Sequence, residues 1–317
     1  MSFVFIIAGL IALVLGGDAL VRGASGLARA LGVSPMLVGL VVVGFGTSAP
    51  ELTTSISAAL QGAPAVAAGN VVGSNIANIL LILGVSALIA PIAVDQAAFG
   101  RDSTVLVLAT LLVAALLAFA GVSRLAGAAL AGGLLAYVIG SYIADRRARS
   151  AAGDLHAAEA DLIAPAQSAL TAGVMLVAGL VGVVGGAALL VRGAVALAGA
   201  AGVSEAVIGL TIVAVGTSLP ELAASVSAAR RGQSDIALGN IVGSNIFNAL
   251  GILGVTALVQ PFSAGAGLAV LDLAVMIAAA LVLIAVALSG WRIDRREGAM
   301  LLTGYAAYLM WLALAGT

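Results

Sequence analysis

The sequence predicts an all-α polytopic membrane protein, with ten transmembrane helices arranged as two inverted five-helix repeats. Of its 317 residues, 62% are hydrophobic and only 9% are charged. Its mean hydropathy is +1.23, far from the roughly 25% charged and 45–50% apolar content of a soluble domain. Apolar stretches run from Phe3 to Ala315, each long enough to cross a hydrocarbon core about 30 Å thick. The first half of the chain also recurs, residue for residue over long blocks, in the second.

The expected spans are 3–25, 36–60, 66–90, 103–121, 125–144, 169–199, 206–229, 236–260, 268–289 and 299–315. The one sizeable polar stretch, Asp145–Gln167, divides the chain into a first membrane repeat (1–144), a linker (145–167) and a second membrane repeat (168–317). Arginine sets the orientation, because cytoplasmic loops retain positive charge. Arg22, Arg29, Arg101, the Arg146–Arg149 group, Arg230/Arg231 and Arg292–Arg296 all fall on one side of a ten-span chain, with only Arg124 and Arg192 opposite. This places the linker in the cytoplasm and both termini outside, in a multi-pass protein of the plasma (inner) membrane.

Shifted by 170, residues 16–91 align without a gap on 186–261, and 43 of 76 positions are identical. Five spans per half is an odd number, so the halves sit in opposite orientations; inverted repeats of this kind belong to transporters, with a site near the midplane. The first span has no basic residue before it and is copied in mid-chain, so it reads as part of the fold rather than a cleaved signal.

The best-conserved blocks between the halves are GTSAPEL (46–52) with GTSLPEL (216–222), and GNVVGSNIAN (69–78) with GNIVGSNIFN (239–248). Glu51 and Glu221 are the only carboxylates well inside spans two and seven. A charge at the bilayer centre costs at least about 2.5 kcal/mol, so such residues face a partner or a pathway. No Arg lies at their depth, which points to one shared cation site; protonated glutamates bonding helix to helix are the plainer alternative. Pro50 and Pro220 lack an N–H and crowd the carbonyls of Gly46 and Gly216, so both spans should be interrupted there. Irregular backbone at this depth is tolerated only when buried or lining a cavity, and it would present carbonyls near Gly44–Thr47 and Ala214–Thr217 beside the hydroxyls of Thr47, Ser48, Thr217 and Ser218. Ser74 and Asn78 share a helix face, as do Ser244 and Asn248. For Asn70 and Asn240, site support and helix-to-helix bonding are equally good readings, and the Gly69/Gly73 and Gly239/Gly243 pairs suit close helix packing. With no thiol or imidazole among them, these oxygens suit Ca²⁺, Mg²⁺, Mn²⁺ or alkali ions.

At these residues the sequence resembles the sodium/calcium exchanger branch of the calcium/cation antiporter superfamily, whose paired α-repeats would lie at about 39–84 and 209–254. The resemblance implies an antiporter exchanging Na⁺ for Ca²⁺ by alternating access, without cofactor, enzymatic activity or protein partner. It implies that Glu51 and Glu221 bridge the central ions, and that Gly44, Thr47, Ala214 and Thr217 give carbonyls. Ser48, Ser218, Ser74 and Ser244 would then line flanking sodium sites, Asn78 and Asn248 would hold the middle, and spans one and six would slide across the rest. Some relatives carry Asp where this chain has Asn248, which leaves K⁺ coupling and the exchange ratio open.

A proton-coupled divalent cation antiporter is the nearest rival, since a membrane glutamate also carries protons. A channel would repeat in parallel around its pore. An intramembrane hydrolase would need a nucleophile or zinc site, yet cysteine is absent and the single histidine, His156, lies in the polar linker. Nothing basic enough for nucleic acid exists. Among the other charges, Asp18 and Arg22 are expected to pair at i,i+4, Asp102 and Asp272 to cap helix N-termini, and Glu205 and Asp235 to lie at the surface.

Overall fold

The computed structural model describes residues 1–160, 168–201, 214–263 and 269–315. Among them, seven helices, or eight counting one bent pair, are long and apolar enough to cross a membrane.

Helix α1 (Ser2–Leu31) outruns its apolar window and stops at Gly32, whose φ of 62° is open to glycine at little cost. Its Asp18 pairs with Arg22 as expected, at 2.9 Å. The second membrane segment is composite. Ser34 caps α2 (Pro35–Val38), a π turn covers Gly39–Val43, and α3 (Gly44–Thr47) follows. After a break at Ser48 comes α4 (Ala49–Leu60), bent by 42° from what precedes it. The third segment joins α5 (Pro64–Ala77), a π stretch at Asn78–Leu83 and α6 (Gly84–Ile89). Strand β1 (Ile92–Ala93) leads to α7 (Gln96–Ala115) and then α8 (Arg124–Ala160).

The described helices of the second half follow the same order. It comprises α9 (Ala169–Ala200), α10 (Ala214–Thr217), α11 (Leu219–Arg230), α12 (Ser234–Ile246), a π stretch at Phe247–Ile252, and α13 (Leu253–Val259). Helix α14 (Val270–Leu288), strand β2 (Arg292–Ile293) and α15 (Arg295–Ala315) complete it.

Three expectations change. Asp102 does not cap a helix: α7 begins earlier, at Gln96, because Asp95 accepts a hydrogen bond from the Ala98 amide at 2.8 Å. Asp102 instead lies fully buried nearly two turns in, where Arg101 grips it at 2.7 and 3.0 Å. Asp272 does cap α14 through the Ala269 amide at 3.2 Å. The polar stretch after Asp145 is not a separate loop, since α8 runs on to Ala160 through a segment rich in Ala and Arg, both good helix formers. Asp235 is half-buried in the first turn of α12 rather than at the surface; Glu205 lies outside the described residues.

Helices α5/α6 and α12/α13 form the centre and α1, α8 and α9 the periphery, with 72% and 83% of the central apolar windows buried against 22–33% of the peripheral ones. Helices α1 and α9 cross antiparallel on glycines. A Cβ on Gly16 would come within 2.7 Å of the Gly182 backbone, and one on Gly9 within 2.7 Å of the Gly186 carbonyl. Gly239 and Gly243 of α12 sit likewise against the backbone at Met36 and Leu40.

Two small β pairings stitch the halves together. Ile92 pairs with Ile293 and Ala93 with Arg292, while Val122 bridges Phe262. Beside them Arg124 donates to the Leu258 and Val259 carbonyls at the end of α13, and Arg295 to the Leu88 and Ile89 carbonyls at the end of α6. Each guanidinium thus satisfies carbonyls that a helix end leaves open. From Arg124 onward the halves match at a shift of 171, which also equates Tyr137 with Tyr308.

Candidate functional site

The two interrupted helices meet head to head at mid-molecule. Pro50 and Pro220 occupy the first turns of α4 and α11, where a missing N–H does no harm. The breaks just before them fall at Ser48 and Ser218, with φ/ψ of −82/7° and −89/5°. The expected interruption is therefore present in both halves, one residue wide.

The carboxylates of Glu51 and Glu221 are 1% and 2% exposed. Each is held by the opposite repeat: Ser48 donates to Glu221 Oε1 at 2.8 Å, and Ser218 to Glu51 Oε1 at 3.4 Å. Thr47 lies beside Glu221 and Thr217 beside Glu51. The second oxygen of each carboxylate, Oε2, has no hydrogen-bond partner, and the same holds for both amide atoms of Asn78 and for Asn248 Oδ1. Leaving such buried groups unsatisfied is costly, and each of these four side chains keeps an oxygen free to take a ligand. Among the described residues no group of three or more His, Cys, Asp or Glu gathers anywhere. The donor set is two carboxylates amid neutral oxygens.

The surrounding residues hold this arrangement. Asn78 opens one π stretch and Asn248 is second in the other; such bulges shift a side chain off the regular helical register and recur at functional sites. Asn248 Nδ2 donates to Ser74 Oγ at 3.2 Å, and Ser244 Oγ to the Gly44 carbonyl, also at 3.2 Å. Ala214 opens α10 in the place Gly44 holds in α3. Gly46 and Gly216 face Leu180 and Val191 of α9.

Asn70 and Asn240 both bond helix to helix, beside the glutamates. Asn70 Nδ2 donates to the Glu51 carbonyl (3.0 Å) and Ser55 Oγ (2.9 Å). Asn240 Nδ2 donates to the Glu221 carbonyl (3.2 Å) and Ser225 Oγ (2.8 Å), while its Oδ1 accepts from Thr47 at 3.3 Å. Ser55 and Ser225 were not singled out from sequence. Their signal was there, four residues after each glutamate in both copies. Asp272 additionally accepts from Tyr308 at 2.9 Å, and Tyr137 lies beside Asp102 at the matching place.

The site opens unequally. A cavity of about 540 Å³ separates α9 from α4; it reaches Pro50 and Thr217 at one end and Arg192 at the other, with Thr53 and Thr54 on its wall. At the corresponding place α1 seats on α11, where a Cβ on Gly17 would lie 2.5 Å from Ser227 Oγ and 2.9 Å from the Ala223 carbonyl. The cavity beside this contact, lined by Leu13, Val14, Ala223 and Ser227, is the smaller of the two at about 280 Å³. A further cavity of about 260 Å³, between α5, α11 and α15, reaches Ser74 and Ser218.

A membrane-embedded site of hard oxygen donors around two carboxylates fits a cation transporter rather than an enzyme. The chain belongs to the sodium/calcium exchanger family: the family model described as sodium/calcium exchanger protein matches residues 1–143 and 171–314. It is 42% identical to CaxA of Alkalimonas amylolytica over 308 residues, 96% of each chain. It is 36% identical to the sodium/calcium exchanger MaX1 of Methanosarcina acetivorans over 344 residues, 98% of this chain and 97% of that one. Among solved structures, the sodium-calcium exchanger NCX_Mj soaked with zero Na⁺ and Ca²⁺ superposes with a TM-score of 0.85 at 34% identity, covering 98% of both chains. The protein is thus a multi-pass membrane cation antiporter of that family, and Na⁺ and Ca²⁺ are the family's substrates.

Proposed function

We propose that the protein exchanges Na⁺ for Ca²⁺ across the plasma membrane by alternating access. The observation that carries this reading is the pair of buried glutamates, each held by the other repeat's serine and each with one oxygen free. Two carboxylates balance one Ca²⁺, or two Na⁺ in its place, and Ca²⁺ accepts six to eight flexible oxygen ligands. In this reading Glu51 and Glu221 take the central ions with Asn78 and Asn248. Carbonyls at Gly44, Thr47, Ala214 and Thr217 and the hydroxyls of Ser48, Ser218, Ser74 and Ser244 complete central and flanking positions. Pro50, Pro220, Gly46 and Gly216 keep the helices broken there.

The same proposal includes ten spans in two inverted halves, 1–144 and 168–317, joined by a cytoplasmic segment at 145–167, with both termini outside. The loop pairings support it. Ile92–Ile293 and Val122–Phe262 exchange under the repeat, and each joins two loops separated by an even number of proposed spans. The Arg192 face is then extracellular and the Arg231 face cytoplasmic.

The test is radioactive Ca²⁺ uptake into Na⁺-loaded proteoliposomes diluted into Na⁺-free buffer. Uptake should require the Na⁺ gradient and vanish in Glu51→Gln and Glu221→Gln. Uptake indifferent to Na⁺ but driven by a pH gradient would overturn sodium coupling.

A further inference from the structure

The closed face carries polar bonds that the repeat does not copy. Asp18 of α1 is paired with Arg231, in the turn after α11, and Arg22 braces the same carboxylate. Ser25, two turns further along α1, donates to Gln233 Oε1 at 3.3 Å. These contacts tie α1 to the turn joining α11 to α12, across the seam that Gly17 closes. At the corresponding positions of the open face the sequence has Ala188 for Asp18, Gln61 for Arg231, Val195 for Ser25 and Ala63 for Gln233. Arg22 alone is kept, as Arg192. Where its counterpart leans on a carboxylate, Arg192 lies over the Phe5 ring, 4.9 Å from the centroid.

We propose that Asp18 and Arg231, with Ser25 and Gln233 beside them, form a latch that holds the Arg231 face shut, so that the carrier rests open toward the Arg192 face. Both are positioning residues: they touch no ion site and act by weighting one arrangement of α1 over the other. The inference rests on the alternating-access reading. Closing the opposite face gains no ion pair, because Ala188 and Gln61 cannot form one. The latch is half-exposed, with side chains 38% and 31% accessible, so its effect is modest, about two- to fivefold in the equilibrium between the two faces. It should also weaken as ionic strength rises.

The chain has no cysteine, so single thiols report cleanly. In open membrane fragments, Thr53→Cys reports on the open cavity and Ser227→Cys on the seam beneath Gly17. Asp18→Asn and Arg231→Gln should each speed maleimide labelling of Ser227→Cys about two- to fivefold and slow that of Thr53→Cys. The double variant should go no further than either single change. Installing Ala188→Asp together with Gln61→Arg should slow Thr53→Cys labelling in an otherwise intact protein. Unchanged rates in all these variants, or additive effects of the two single changes, overturn the latch. If labelling responds to Na⁺ and Ca²⁺ in the parent but not to the variants, the latch alone fails; if the parent ignores both ions, alternating access fails and the latch with it.

Discussion

On the Arg231 face, α1 lies directly on α11, with Gly17 against Ser227 and the Ala223 carbonyl. On the Arg192 face, the copy of α1, helix α9, stands off from α4 across about 540 Å³ lined by Thr53 and Thr54. The two regions are copies of one repeat, and some of the positions at which they differ lie on this contact. Gly17 corresponds to Ala187, and Ala223 and Ala224 correspond to Thr53 and Thr54. A single methyl at 187 blocks the backbone-close contact that glycine permits at 17. Two hydroxyls keep wettable the wall that alanine makes dry opposite. Related sequence thus builds two faces that pack differently, one seated on a glycine and one standing off across a cavity.

The comparison is most readily broken at Gly17. Gly17→Ala places a methyl 2.5 Å from Ser227 Oγ, and overpacking of this kind costs about 1–3 kcal/mol. The closed face should open, raising labelling of a thiol at position 227 roughly tenfold or more. Unchanged labelling would show that the seam has slack. Next comes the buttress. Asn240→Ala leaves the buried Glu221 carbonyl and Ser225 without their donor, at a cost of about 1–3 kcal/mol. Asn70→Ala should cost less, because Asn70 makes two such bonds to the three of Asn240 and is only half-buried. Thermal unfolding in detergent would rank the two, and an equal loss would mean the halves are supported alike. Ala187→Gly should ease closure of the open cavity, and a slowing of Thr53→Cys labelling would report it. The smallest effect belongs to the stitches. Arg124→Gln and Arg295→Gln each remove a helix-end cap worth about 0.3–1 kcal/mol, and matched shifts in melting temperature are expected because the two caps are copies.

Much of this architecture could be read from the chain because duplication marks it. The glutamates, the prolines, the hydroxyls around the breaks and the Ser–Asn pairs all stand at a constant spacing, and several of them bond across the repeats, Ser48 to Glu221, Ser218 to Glu51 and Asn248 to Ser74. What escaped had physical reasons. The register slips by one residue before Arg124, so a shift of 170 hides the equivalence of Tyr137 with Tyr308 and of Arg124 with Arg295. Hydropathy marks where a span enters lipid rather than where its helix begins, so it passed over Asp95 and misplaced Asp102. The polarity of Asp145 onward signals exit from the membrane, yet polarity does not end a helix composed of good helix formers. The close seating of α1 on α11 turns on Gly17, which differs from Ala187 by one methyl group, a difference that no periodicity registers.

The paired loops at Ile92–Ile293 and Val122–Phe262 act as rivets. They sit at both ends of the central helices and fasten one half to the other without using the covalent connection between them. The frame around the site is therefore held across the two halves as a ring, and α1 and α9 meet along a glycine seam outside it. It follows that the chain could be cut between residues 145 and 167 and its halves, produced as separate polypeptides, should still find one another and assemble.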